Sequence, residues 1–160
     1  MSEIEERISQ MSQDELKGLV EKALLRKKFI ELLETSSPDE DTIEWIRERC
    51  TELKTKITNL TPSRRDLCDS WNSAFDIDLF IQMFKNSALD EDDANGIVYI
   101  VFDRIQMLCA PSQDKAIAHA KDMILSEKNI PKKLAILVEI SNDIVKDIIR
   151  MVDNLKGSSS

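Results

Sequence analysis

The chain contains a single histidine, His119, so any catalytic dyad or triad that uses an imidazole must include it. The nearest thiol in the sequence is Cys109, which lies on the other side of Pro111. No nucleophile elbow and no glycine turn suited to an oxyanion hole accompanies this pair. The sequence therefore predicts a surface histidine and a core thiol, and we expect no enzyme activity.

Metal binding has two candidate ligand sets, and the spacing of both argues against it. One histidine and three dispersed cysteines, without a Cys-x-x-Cys pair, give no tetrahedral set. In the calcium-loop register that starts at Glu91, the twelfth position requires a bidentate Glu but is Phe102. We interpret Asp90–Asp93 as the first turn of a helix, where the helix dipole favours carboxylates. No metal and no other cofactor is expected.

Composition narrows the function classes further. The 160 residues include 22 basic and 30 acidic ones, for a net charge of -8, and only three glycines. Nucleic acids and anionic membranes require a cationic surface, and phosphate loops require glycine. The longest apolar run, Ile97–Phe102, is too short to span a bilayer, and the acidic start Met1–Glu6 is unlike a signal peptide. We expect an intracellular, cytoplasmic protein with reduced thiols that binds no nucleic acid and does not insert into a membrane.

Helix starts are marked by capping residues that precede apolar runs of helical spacing. The predicted caps are Ser12, Ser37, Thr61, Asp76 and Ser112, the second and third of them followed directly by proline. Asp90–Asp93 fills another first turn, and Pro131 near Asn129 opens the last helix. No strand pattern and no repeat of fixed period is present, which favours an all-helical chain.

The apolar spacing predicts how these helices pack. Ile43–Leu60 carries apolar residues in steps of three and four, which is typical of a packing seam. Ile97–Leu108 is apolar around most of its circumference and is expected to be the most buried helix. The prediction is an all-α fold, an irregular bundle of six or seven helices in a single domain over residues 12–156. Residues 1–11 are expected to form a tail or short helix, and residues 157–160 a flexible tail.

Two features outside the predicted core are candidate contacts for a partner. Arg64 and Arg65 are adjacent, and guanidinium groups pair well with carboxylates of an acidic partner. Trp45 lies off the Ile43–Leu60 seam. An exposed tryptophan there would anchor a partner, whereas the alternative is a second packing partner within the fold.

Several stretches of the chain resemble motifs of one family. Leu108–Asp114 has the sequence Leu-Cys-Ala-Pro-Ser-Gln-Asp and resembles the Leu-Cys-Ala-Pro-Val-Arg-Asp signature of the T-complex protein eleven family. Phe75–Leu79 is similar to its Leu-Asp-x-Asp-Leu stretch, and Ser87–Asp90 to its Gly-Ala-Leu-Asp motif. Ala23–Leu33 and Asp143–Leu155 are similar to the segments on either side. The resemblance covers most of this chain and the front part of a typical family member.

The resemblance implies a non-enzymatic, all-helical protein, because relatives are associated with cyclic-AMP and protein kinase A signalling and carry no catalytic residues. The chain departs from the family pattern where Gln113 replaces an arginine, Lys115 replaces an acidic residue and Ser87 replaces a glycine. We therefore expect a protein-interaction domain that modulates kinase-linked signalling. The predicted partner-binding residues are Trp45, Arg64, Arg65, Pro111, Ser112, Gln113 and Asp114. The alternative is a structural or assembly protein, a helical homo-oligomer whose contacts use the Ile43–Leu60 seam.

Overall fold

The computed structural model describes Glu3, Glu5, Glu6, residues 12–35 and residues 37–158. Most of the predicted N-terminal tail and the last two residues of the chain lie outside the described residues. The last helix continues through Ser158 and so includes Gly157 and Ser158, the first two residues of the predicted flexible tail.

The described part of the chain is all α-helical, which confirms the predicted fold class. Its helices are α1 (Gln13–Leu33), α2 (Glu40–Thr58), α3 (Arg65–Ala74), α4 (Ile77–Lys85), α5 (Glu91–Leu108), α6 (Asp114–Ser126) and α7 (Ile130–Ser158). A short 3-10 turn, Pro111–Gln113, joins α5 to α6.

Four of the predicted helix starts match the structure. Ser12 accepts the Glu15 backbone N–H, and Asp76 accepts that of Leu79. Asp90 forms a complete capping box with Asp93, so the acidic cluster is a helix start and not an ion-binding loop. Before α7, the Asn129 side chain accepts the Lys132 backbone N–H at 2.9 Å.

Three predicted starts were wrong in position. Asp39, not Ser37, caps α2, because its carboxylate accepts the Thr42 N–H at 2.8 Å and carries the negative charge that a helix start favours. Thr61 does not cap α3, since residues 59–64 are used in turns that close α2. Ser112 caps nothing, because it lies inside the 3-10 turn.

The core is built around α5, which packs between α6 and α7. Its fully buried residues are Ala94, Val98, Val101, Phe102 and Ile105. The predicted seam of α2 also packs inside the chain, through Ile46, Cys50, Leu53 and Ile57. These seam residues are therefore unavailable as a surface for the oligomer contacts that the sequence had allowed.

The hydrogen bonds of one buried lysine join three helices within this core. Lys133 of α7 is fully buried, and its ammonium group donates to the Asn95 side chain of α5. It also donates to the Leu125 carbonyl of α6 at 3.3 Å. Both acceptors are neutral, so the buried ammonium group is stabilised by the dipoles of the Asn95 amide and the Leu125 carbonyl. These hydrogen bonds hold the three helices in fixed positions relative to one another.

The turn between α4 and α5 places Ser87 in the left-handed region, with φ of 53°. Ala88 donates its N–H to the Met83 carbonyl at 2.8 Å and Ser87 to that of Phe84, the hydrogen-bond pattern that commonly closes a helix. Glycine is the residue best suited to this conformation.

Candidate interaction groove

The structure shows no catalytic arrangement around the candidate nucleophile. His119 is exposed on α6, and no hydrogen bond in the described chain joins it to Cys109. Burial and the neighbouring Asp114 carboxylate raise the pKa of the Cys109 thiol, the opposite of what a reactive cysteine requires. Among the described residues, no group of three or more His, Cys, Asp or Glu side chains is placed to hold a metal.

The two predicted arginines lie at the start of α3, on the surface. Arg64 donates two hydrogen bonds to the Asp66 carboxylate, at 3.1 and 3.0 Å. This interaction raises the pKa of Arg64 and lowers that of Asp66. The Arg64 guanidinium is thus already paired locally, whereas Arg65 has no side-chain ion pair or hydrogen bond within the described part of the chain.

Trp45 is a packing residue between α1 and α2, the alternative considered for it from the sequence. Its ring meets Phe29 edge-on, with centroids 5.7 Å apart. Lys28 and Arg49 lie over the same ring, at 4.7 and 5.2 Å from its centroid. Trp45 therefore orients two neighbours, Phe29 and Arg49, that line the groove described below.

The predicted loop lies elsewhere, at the turn from α5 to α6. Pro111 and Ser112 are exposed, and Pro111 and Asp114 border a shallow depression on the surface. Gln113 turns inward and approaches the Met151 sulfur of α7 at 3.9 Å. In the described chain, no hydrogen bond or ion pair joins this loop to Trp45, Arg64 or Arg65. The structure does not bring the predicted contact residues together.

A more enclosed feature, which the sequence did not indicate, lies between α1, α2 and α7. It is an open groove of about 440 Å³. Its apolar lining is provided by Leu25, Phe29, Ala135, Val138 and Ile149. Its charged lining is provided by Lys22, Arg26, Arg49, Glu52, Lys56, Glu139, Asp143 and Lys146.

Ion pairs between α1 and α7 form one side of the groove. Lys22 pairs with Asp143 at 2.7 Å, and Arg26 binds both oxygens of Glu139, at 2.5 and 2.6 Å. The hydrogen bond to Glu139 raises the pKa of Arg26. Because the basic residues are four apart on one helix and the acidic ones four apart on the other, the helices run antiparallel with matched faces.

Basic charge is in excess along the groove. Glu52 pairs with Arg49 at 3.0 Å, so every carboxylate of the lining already has a cationic partner. Lys56 of α2 and Lys146 of α7 have no ion pair or hydrogen bond in the described chain. On a protein of net charge -8, the groove is thus a locally cationic site with an apolar floor.

Two buried polar atoms of the lining residues have no hydrogen-bond partner in the described chain, Arg49 Nε and Asn142 Oδ1. Buried polar groups without partners are uncommon in folded proteins. They come from opposite walls, α2 and α7. A donor and an acceptor thus remain unsatisfied beside the apolar floor.

The signal for this groove was present in the sequence but divided between distant segments. Lys22 and Arg26 precede Glu139 and Asp143 by more than a hundred residues. Only the fold shows that these two i,i+4 pairs meet. Local patterns such as Arg64–Arg65 are easier to find, but here Arg64 already forms hydrogen bonds with Asp66 in the same turn.

No known protein-family model matches this chain, and neither a curated protein nor a solved structure does. Within the described residues, none of the helices combines the length and apolar character needed to cross a membrane.

Proposed function

We propose that this chain is a non-enzymatic helical protein-interaction domain that binds its partner in the groove between α1, α2 and α7. The observation that carries the proposal is the combination of an apolar floor with two unpaired lysines on opposite walls. A helical partner segment commonly binds such a groove through apolar residues on one face. The groove therefore fits an amphipathic segment whose apolar face is flanked by carboxylates.

The apolar floor and the net charge of -8 favour this class of occupant over nucleic acid, and the two unpaired lysines favour it over a neutral small molecule. Lys56 and Lys146 each lack an anionic partner in the described chain, since the carboxylates of Glu52, Glu139 and Asp143 are already used. Exposed rim charges chiefly accelerate association and select the partner, while the apolar floor supplies most of the affinity.

The signalling part of the proposal comes from the resemblance. Leu108–Asp114, Phe75–Leu79 and Ser87–Asp90 resemble motifs of the T-complex protein eleven family, whose members are associated with cyclic-AMP and protein kinase A signalling. We extend the proposal to a partner from that pathway. Pro111–Asp114 and Arg65 remain predicted contacts, on surfaces separate from the groove.

Affinity capture from a cell lysate tests this proposal when wild-type bait is compared with Lys56→Glu/Lys146→Glu. The matched control is Arg64→Glu/Arg65→Glu, which reverses two charges outside the groove. We expect a partner recovered by the wild type and by the control bait but lost with the groove variant. Chemical cross-linking of the recovered complex should then place the partner beside α1 and α7.

The outcomes separate the two parts of the proposal. Recovery of kinase A subunits that depends on Lys56 and Lys146 supports both parts. A groove-dependent partner from another pathway supports the interaction domain and contradicts the signalling assignment. Equal recovery by the groove variant contradicts the groove, and loss with Arg64→Glu/Arg65→Glu would instead favour the surface predicted from the sequence.

A further inference from the structure

One face of α1 is apolar and directed to solvent. Its residues, Leu16, Leu19, Val20, Ala23 and Leu24, are here called the α1 stripe. The four larger side chains are between 38% (Leu16) and 60% (Leu24) exposed. None of the five lines the groove, so the α1 stripe is a second surface.

The first half of α1 also has little to stabilise it within one chain. Phe29, near the end of the helix, is its only buried residue. The ion pairs of Lys22 and Arg26 with α7 are partly exposed, and such pairs contribute little. Gly18 further lowers the helical propensity of this segment. A helix with so few packing contacts within its own chain becomes more stable when a partner buries its apolar stripe.

The charges on α1 indicate what covers it. Asp14 and Glu15 lie in the first turn, and Lys27 and Lys28 form a basic run further along, next to Arg26, which is already paired with Glu139. A second α1 in antiparallel orientation places the acidic turn of each helix beside the basic run of the other. A parallel arrangement would place like charges together. The pattern is thus self-complementary about a two-fold axis.

We propose that the α1 stripe is a self-association surface, covered by α1 of a second copy of this chain in antiparallel orientation. The contact is isologous, so each copy presents the same face. This inference is independent of the proposed groove, because the residues that carry it are different.

Sedimentation equilibrium over a range of protein concentrations, under reducing conditions, tests the proposal. We expect a reversible dimer whose dissociation constant rises with salt, because charge pairs contribute to it. Leu19→Glu/Val20→Glu should raise that constant about tenfold or more. The matched control is Leu79→Glu on α4, a residue 50% exposed in a different part of the surface, which should leave it unchanged.

Circular dichroism establishes that each variant is folded, and Leu24→Ser provides a second, uncharged disruption of the stripe. A protein that remains monomeric at every concentration overturns the proposal. A dimer that neither Leu19→Glu/Val20→Glu nor Leu24→Ser weakens also overturns it, since contacts would then lie elsewhere.

Charge reversal tests the orientation. Asp14→Lys/Glu15→Lys and Lys27→Glu/Lys28→Glu should each weaken the dimer, because each places like charges opposite one another. The variant with all four substitutions restores the complementary pattern and should recover most of the affinity. If it binds no better than its two parent variants, the antiparallel arrangement is wrong.

Discussion

The helices α1 and α5 have similar lengths, 21 and 18 residues, but very different environments. Five apolar residues of α5 are fully shielded from solvent, whereas α1 buries only Phe29. The cause is position, because α5 packs against both α6 and α7, while α1 lies at one side of the bundle, mainly against α7. Helix α5 thus specifies the fold, and α1 presents surface.

Local signals do not explain this difference. Both helices begin with a capped first turn that contains acidic residues, at Ser12 and at Asp90. Both carry apolar residues at helical spacing. The comparison shows that the sequence pattern which forms a helix is distinct from the packing that buries it. An apolar face without a neighbour is then available for a partner.

The comparison predicts its largest effect for truncation at the centre of α5. Phe102→Ala should lower the free energy of unfolding by about 3–5 kcal/mol, because it removes a fully buried ring and leaves a cavity. The matched change in α1, Leu24→Ala, should cost less than about 0.5 kcal/mol in the monomer. Urea unfolding followed by circular dichroism measures both. Similar losses at the two sites would show that α1 belongs to the same packed core.

The buried ammonium of α7 should give the next largest effect. Lys133→Met fills similar space but leaves Asn95 Oδ1 and the Leu125 carbonyl without their donor, at a cost of about 1–3 kcal/mol. Lys132→Met, at the adjacent exposed position, is the control and should change stability little. Chemical denaturation compares the two. Equal effects would mean that the hydrogen bonds of Lys133 between α5, α6 and α7 make no specific contribution to the free energy of unfolding.

Much of the fold could be predicted because its signals are local. Asp76 and Asp90 each cap a helix within three residues, and apolar spacing alone identified the buried face of α2 and the central position of α5. The predicted helix starts were wrong where two possible capping residues, or a cap and a turn, lie within a few residues of each other. Asp39 replaced Ser37 as a cap, and the residues after Thr61 were used to close α2.

The candidate site could not be predicted in the same way. The groove depends on Lys22 meeting Asp143, a contact that only tertiary packing creates. Trp45 was recognised as unusual, but its partner Phe29 lies on another helix. The resemblance to the T-complex protein eleven family stays a prediction, and the capture experiment tests what it implies.

The buried thiol of Cys50 predicts how the stability of the core depends on pH. Burial raises the pKa of the Cys50 thiol to about 12, from an ordinary value of 9.0. Below about pH 9 both the folded and the unfolded state are protonated, so the full stability is present. Above that pH only the unfolded state ionises, and stability is lost as pH rises from about 9 towards about 12.

At pH 10 the loss of unfolding free energy through Cys50 should be about 1 kcal/mol, relative to a variant that lacks this thiol. Unfolding free energies of the wild type and Cys50→Ala, measured from pH 8 to pH 10, isolate the contribution of Cys50, since other groups titrate in both proteins. The difference in unfolding free energy between the wild type and Cys50→Ala should decrease by that amount from pH 8 to pH 10. A constant difference would indicate that Cys50 is accessible to hydroxide in the folded state.

The smallest effects come from two helical glycines, one in each region. A methyl group added at Gly18 of α1 or at Gly96 of α5 meets no atom within 4 Å, so alanine fits at both positions. Each substitution should stabilise its helix by about 0.5–1 kcal/mol, because alanine loses less conformational freedom than glycine.

The two gains should appear in different measurements. Gly96→Ala should raise the free energy of global unfolding, because α5 unfolds with the core. Gly18→Ala should chiefly slow hydrogen exchange of the amides in the first half of α1 and strengthen self-association, with less effect on global unfolding. If Gly18→Ala raised global stability as much as Gly96→Ala, then α1 would unfold cooperatively with α5, and its exposed stripe would be part of the folding unit even without a second copy to cover it.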